Sequence, residues 1–343
     1  MDRLAVELLE QIFLLACTDG GFTGAALSRV SKHIRNASRA ARFHSIALIS
    51  PFPDTLEQFA SCYVHQRAFS GEVTPKVHHL LITSATRQSD PARVVLGPNL
   101  NASDVSKCSA DMTKKHLEVL EKEQRKFNVD VTSLLQLLAP DLISLTLIHC
   151  HRYGKNELRI PLTIEVSGGF PLLQELTLAG IPTTFTSTDC PSGSLYPHLE
   201  RLHLCLLALS GCPDIDVDAW AADAPNLTYL RMSNVNYWPR NIMESVRKVF
   251  ASEHLNATLK QVIIKPHSPP PMGGPCGTPH TVFASFMASL QSACTPCHNP
   301  KLSTVLLPAG RNMRAHDWEA MLKNHWVDRM CGGPGCWNTT RER

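Results

Sequence analysis

Four clusters of side chains in this sequence carry atoms suited to metal or acid–base chemistry. Cys294, Cys297 and His298 lie within five residues, and Cys331 and Cys336 form a second thiol pair in a Gly/Pro-rich stretch. Zinc takes four sulfur or imidazole ligands, and short spacings let one loop supply two of them, so Cys294, Cys297, Cys331 and Cys336 could surround one tetrahedral ion. Cys294-Thr295-Pro296-Cys297-His298 also spells a c-type haem attachment motif, but nothing around it suggests export or a haem pocket. The plainer expectation is four unligated cysteines, with no resident metal or cofactor. The histidine pairs are His78 with His79 and His149 with His151. They fall in or just after predicted strands, where alternation sends them to the face away from the core. The sequence contains no Gly-rich phosphate loop and no nucleophile elbow. The expectation is a non-catalytic binding protein, with a small hydrolase or metalloprotein as a distant third class.

The strands that would carry these residues follow one phrase, repeated seven times. A proline is followed by apolar residues two, five and seven places later. The copies are Pro75 with Val77, Leu80 and Ile82; Pro140 with Leu142, Leu145 and Leu147; Pro171 with Leu173, Leu176 and Leu178; Pro197 with Leu199, Leu202 and Leu204; Pro225 with Leu227, Leu230 and Met232; and Pro300 with Leu302, Val305 and Leu307. The seventh has Ala257 in the proline slot, ahead of Leu259, Val262 and Ile264. Successive first apolar positions lie 65, 31, 26, 28, 32 and 43 residues apart. The L-x-x-L-x-L core and the central spacings resemble leucine-rich repeats of a degenerate kind. The usual Asn or Cys three places after the last leucine is present only as Cys150. The resemblance implies an α/β solenoid. In it, alternate strand residues point inward and those between them line a concave surface.

Helices for the convex side are predicted over 114–139, 241–253, 281–292 and 314–328, the last grouping Trp318, Met321, Leu322 and Trp326. Loops are predicted over about 83–113, 183–196 and 266–280, where turn residues, Ser/Thr or Pro/Gly dominate. The tail from Cys331 to Trp337 is expected to fold over the last helix and cap the stack.

Residues 4–16 read as a helix in which Glu7, Glu10 and Gln11 make one narrow polar stripe and apolar residues fill the rest of the circumference. Such a helix needs to bury two faces, one on its own chain and one on something else. A second helical stretch places Leu27, Val30, Ile34 and Ala37 on one side and Arg29, Lys32, His33, Arg35, Arg39 and Arg42 on the other; no acid occurs between Asp19 and Asp54. The basic side reads as a solvated face.

Leu4-x-x-Glu7-Leu8-Leu9-x-x-Ile12-Phe13, Leu27-x-x-Val30-Ser31-Lys32 and Phe43-x-x-Ile46 together resemble an F-box. The family's members are three-helix modules that bind the Skp adaptor of cullin-RING ubiquitin ligases. The resemblance implies adaptor contacts at Leu4, Leu8, Leu9, Ile12, Phe13, Leu27 and Val30. Ala5 stands where the family usually has proline, and Ile34 lies near the place of its tryptophan.

The expected fold class is therefore α/β: a small N-terminal three-helix F-box-like module over residues 1–50, then an irregular leucine-rich-repeat solenoid over 51–343. The expected function is substrate recognition in an SCF-type ubiquitin ligase, linking a Skp-family adaptor to an unknown protein target. Concave-face candidates for the target are Gln174, Glu175, Thr177, Glu200, Arg201, His203, Tyr229 and Arg231. The alternative is a leucine-rich-repeat scaffold whose N-terminal module binds no adaptor.

Bulk properties set the outer bounds. The 343 residues include 33 Lys and Arg against 30 Asp and Glu, a formal net charge of +3, which gives no reason to expect a nucleic-acid partner. Hydrophobic residues make up 43% and charged residues 18%, which excludes wholesale disorder. Glu7, Glu10 and Gln11 break any signal-peptide core, and no apolar run is long enough to span a bilayer. The expected setting is cytoplasmic or nuclear, with reduced thiols.

Overall fold

The structure, a computed structural model, describes residues 4–49, 54–69, 74–84, 102–149, 162–180, 183–187, 189–190, 193–207, 215–237, 242–270, 278–295 and 301–339. Helices α1 (Val6–Ala16), α2 (Phe22–Val30) and α3 (Lys32–Ala37) lead into a 3-10 turn at Ala41–Phe43 and strand β1 (Ser45–Ile49). Next come α4 (Thr55–Ala68), β2 (His79–Thr83), α5 (Ala102–Leu138), β3 (Ser144–His149), β4 (Leu162–Glu165), β5 (Glu175–Gly180), β6 (Thr183–Thr186) and β7 (Arg201–Cys205). The chain continues through α6 (Val217–Asp223), β8 (Tyr229–Val235), α7 (Ile242–Ala251), α8 (Glu253–Thr258), β9 (Gln261–Pro266), α9 (Thr278–Cys294), β10 (Ser303–Leu306) and α10 (Ala315–Met330) to a 3-10 turn at Gly335–Trp337.

The fold is mixed α/β. Eight strands form one sheet in the order β1-β2-β3-β5-β7-β8-β9-β10, and every neighbouring pair is parallel. The repeated phrase explains this. Leu80, Leu145, Leu176, Leu202, Leu230 and Val262 stand side by side in register, and Ile82, Leu147, Leu178, Leu204, Met232 and Ile264 form the next row. All twelve are buried. Helices cover this side of the sheet through Leu56 and Tyr63 of α4, Leu134 and Leu138 of α5, Val246 of α7 and Leu290 of α9. Each fully buried leucine contributes about 1.5–3 kcal/mol, so two such rows dominate the fold's stability.

Several expectations change. The unit placed at 1–50 ends before Ser45, because Ile46 pairs with Leu80 and Leu48 with Ile82 in the main sheet. Ala41, Phe43, Ile46 and Leu48 are an eighth copy of the phrase, and Phe43-x-x-Ile46 forms a turn and a strand rather than a helix. The helix read across Leu27 to Ala37 is broken at Ser31, whose backbone is extended and whose hydroxyl accepts from the Ile34 amide at 3.1 Å, an N-cap that starts α3 afresh. Residues 102–113, expected in a loop, begin α5; no glycine or proline occurs between Asn99 and Ala139 to stop that helix. Thr183–Thr186 pairs with Leu162–Glu165 in a separate two-stranded ribbon, favoured by β-branched threonines around the buried Phe185.

The last copy slips by one residue. Thr304 pairs with Val262 and Leu306 with Ile264, where the phrase would align Val305 and Leu307. β10 lies at the sheet edge with one neighbour to hold its register, and the slip turns Val305 to the opposite face.

The three short helices bury their own cluster of Leu9, Phe13, Cys17, Ile34, Ala37 and Ala41, with Leu27 packed against it. It is tied to the sheet edge where Ser45 Oγ donates to the Cys17 carbonyl at 2.7 Å and the Ala47 amide donates to the Gly20 carbonyl at 3.1 Å. Gly24 sits where α2 meets the turn at Ala41–Phe43, and a Cβ there would lie 2.6 Å from the Arg42 carbonyl oxygen. Gly24→Ala should therefore destabilise the protein by about 1–3 kcal/mol in chemical denaturation, despite alanine's better helix propensity.

Candidate functional site

The face of the sheet opposite the helices carries the in-between residues of each phrase, and here the structure departs most from expectation. Across it lie α10 and the turn that follows, not open solvent. Ile148, Ala179 and Cys205, which line up in register, pack with Leu207 against Trp318 and Leu322 of α10, joined by the partly buried Met313 and Met321. The grouping of apolar residues on this helix matches the sequence reading. Its side of the sheet does not, because a helix bearing Trp318, Leu322 and Trp326 on one face finds apolar surface on both sides of a repeat sheet.

The candidate target-binding residues are redistributed accordingly. Thr177, His203 and Arg231 are buried; Glu175, Arg201 and Tyr229 are half-buried; Gln174 and Glu200 are exposed ahead of their strands. Glu175 is held twice by the C-terminal segment. The Arg329 guanidinium contacts its carboxylate at 2.9 Å, and the Trp337 indole N–H donates to it at 3.0 Å. Arg231 donates to the Cys336 carbonyl and to Ser233 Oγ. The Trp337 ring meets those of His203 and Tyr229 edge-on, and Arg201 lies over the Tyr229 ring at 5.3 Å.

This covered face is polar as well as apolar. Thr83 hydrogen-bonds Glu319, whose carboxyl is pushed up by burial. Burial pushes His79 down to about 3, with His44, His78 and Arg329 adding repulsion, and its Nδ1 lies 2.9 Å from Ser144 Oγ. His203 is held neutral by burial and by Arg231, His325 and Lys265. Its Nε2 bonds Ser233 Oγ, while its Nδ1 and the buried Trp326 Nε1 find no hydrogen-bond partner among the described residues. An unsatisfied buried polar atom costs about 1–3 kcal/mol, so these two atoms weaken the interface that holds α10.

His149 also departs from expectation. It lies on the helix side of β3, stacked on Phe127 at 5.2 Å and bonded to Ser84 and Gln124, because its place in the alternation is that of Leu145 and Leu147. His78 contacts His44 Nδ1 to Nδ1 at 3.0 Å. His151 and His298 lie outside the described residues.

Cys294 and Cys336 do not converge. Cys294 packs against the helix-side core, and Cys336 is buried at the opposite face beside Arg231; Cys297 lies outside the described residues. No group of three His, Cys, Asp or Glu side chains is placed to hold a metal among the described residues. Burial pushes the Cys294 thiol up to about 11, away from the thiolate that zinc needs.

A second surface lies on α1. Leu9, Phe13 and Cys17, spaced by four, face the small N-terminal core, whereas Leu4, Leu8, Ile12 and Leu15 follow one another on the solvent side, with exposures of 42%, 50%, 49% and 81%. Val30 and Phe22 on α2 are exposed at 66% and 69%. Seven residues named for adaptor contact thus divide into Leu9, Phe13 and Leu27, which face the chain's own core, and Leu4, Leu8, Ile12 and Val30, which face out. These large apolar residues form one stripe along a single helix rather than scattered exposure. Among the described residues no helix is long and apolar enough to cross a membrane. No family model, curated protein or solved structure matches the chain.

Proposed function

We propose that the chain is a substrate receptor of an SCF-type ubiquitin ligase, built from an F-box-like module of α1–α3 and a degenerate leucine-rich-repeat solenoid. Leu4, Leu8, Ile12 and Leu15 dock on a Skp-family adaptor, and the repeat sheet holds a target protein. The chain performs no bond chemistry itself. It raises the local concentration of the target's lysines near a ubiquitin-loaded enzyme by holding both in one assembly. The observation that carries this reading is α1, which anchors itself through Leu9 and Phe13 and leaves a second apolar stripe in water. The eight phrase-derived parallel strands in chain order support the repeat half.

The experiment is co-purification with a Skp-family protein. The wild-type chain should form a stable complex, and Leu8→Asp combined with Ile12→Asp should reduce it at least 100-fold, because two charges would be buried unpaired in the interface. Both positions are about half exposed, so circular dichroism should show an unchanged fold. Binding that survives the double substitution removes α1 from the interface. The absence of any complex with the wild-type chain favours the alternative, an interaction scaffold without an adaptor.

A further inference from the structure

We infer that residues 313–339 are a built-in, detachable ligand of the sheet face they cover. The protein partner of that face would present the same features: an amphipathic helix with large apolar side chains at i, i+4 and i+8 and an arginine at i+11. The pattern is read from α10, where Trp318, Leu322, Trp326 and Arg329 follow this spacing. At 100° per residue these four positions fall within about 80° of one another on the helix surface.

Three observations make the segment an occupant rather than part of the core. First, its apolar contacts form a separate cluster from the one that holds the sheet to its helices. Second, its anchors are polar and directional. Glu175 takes both the Arg329 guanidinium and the Trp337 indole, and Arg231 takes a backbone carbonyl, groups that any other peptide with an arginine and a free carbonyl could supply. Polar, partly satisfied contacts of this kind characterise interfaces that exchange, whereas permanent ones resemble a domain core. Trp326 Nε1 and His203 Nδ1 are buried there without hydrogen-bond partners among the described residues. Third, α10 hangs from β10 by residues 307–314, which form no regular structure. A tether this short keeps the segment at millimolar effective concentration, so a partner must bind well or arrive with a second contact to displace it.

This deepens the target-binding half of the proposed function. It rests on that reading only for the partner's identity as a ubiquitylation target, and its test involves no adaptor, so each idea can fail without the other. The full chain is prepared with a specific protease site inserted between Pro308 and Arg311 and cleaved after folding. A fluorescent synthetic peptide of residues 313–339 is the probe. The cleaved protein should take up the peptide saturably in exchange for its own segment, while the uncleaved chain binds it at least 100-fold more weakly. Glu175→Gln in the protein, or Trp318→Ala with Leu322→Ala in the peptide, should weaken uptake at least tenfold. Native-state hydrogen exchange on the uncleaved chain supplies the second readout: α10 amides should open at denaturant concentrations where β5 and β7 remain protected. Loss of protection in α10 and the sheet at one concentration, or a cleaved segment that never exchanges until the whole protein unfolds, would overturn the inference and make 313–339 an integral layer of the fold.

Discussion

Phe13→Ala is expected to lower the unfolding free energy by about 3–5 kcal/mol, while Ile12→Ala, one residue away, costs under about 1 kcal/mol. Phe13 is 3% exposed within the cluster of Leu9, Cys17, Ile34 and Ala37, and Ile12 is 49% exposed with no core behind it. The cluster is small, so loss of one aromatic ring leaves a cavity that few neighbours can close. Urea denaturation of the two variants checks the contrast. Hydrogen exchange should assign the loss in Phe13→Ala to α1, α2 and α3 before the sheet. Equal losses in both variants would mean that α1 presents a different face to its own core, and the apolar stripe proposed to dock on the adaptor would then be misassigned. The contrast also separates two reasons for losing a partner: Phe13→Ala would remove binding through unfolding, and Ile12→Ala through contact alone.

The phrase of proline and three apolar residues carried most of the architecture. Six of the seven copies named from the sequence, all but the one at Pro300, form strands whose inward rows are buried to 8% exposure or less. The eighth copy, at Ala41, Phe43, Ile46 and Leu48, also fits a helical module's third block, since period-two and period-3.6 patterns are hard to separate over four positions. Ser31 could have been found: a serine ahead of a helical run is an N-cap signal, and apolar spacing masked it. The slip in β10 could not, since register at an edge strand depends on a neighbour and not on the strand's own pattern. The deepest gap concerns the functional face. Alternation correctly placed Glu175, Thr177, His203 and Arg231 opposite the helices, but only tertiary packing reveals that α10 lies on them. An amphipathic helix carries no local mark of which side of a sheet it will choose. On α1 the sequence identified the apolar circumference, and the structure divided it into a buried side and an exposed one.

Acid should destabilise this protein well above the pH at which its carboxylates titrate. His44, His78, His79 and His203 are all pushed toward the neutral form by burial, and positive or potentially positive neighbours face most of them: His78 toward His44, Arg329 toward His79, and Arg231, His325 and Lys265 toward His203. Asp141 acts the other way on His78, opposed by Lys76. In the unfolded chain each histidine takes up a proton near pH 6.5, while the folded chain takes it up only at lower pH. Below that value the unfolded state binds more protons, so stability rises with pH and falls on acidification. The contribution is fully present above pH 6.5 and is lost as pH drops toward the depressed folded values. His79, at about 3, alone removes about 1.4 kcal/mol per pH unit across most of that window. Urea denaturation at pH 7.0, 6.0, 5.0 and 4.5 should therefore show a steady fall, and His79→Gln, which keeps a polar group near Ser144, should flatten it by nearly one proton. A slope unchanged by that substitution would show that His79 is protonated in the folded protein. Because His79 and His203 lie under α10 and the turn after it, with Arg329 and Arg231 close by, the added positive charge acts first where the C-terminal segment meets the sheet. Release of that segment should precede global unfolding as pH falls.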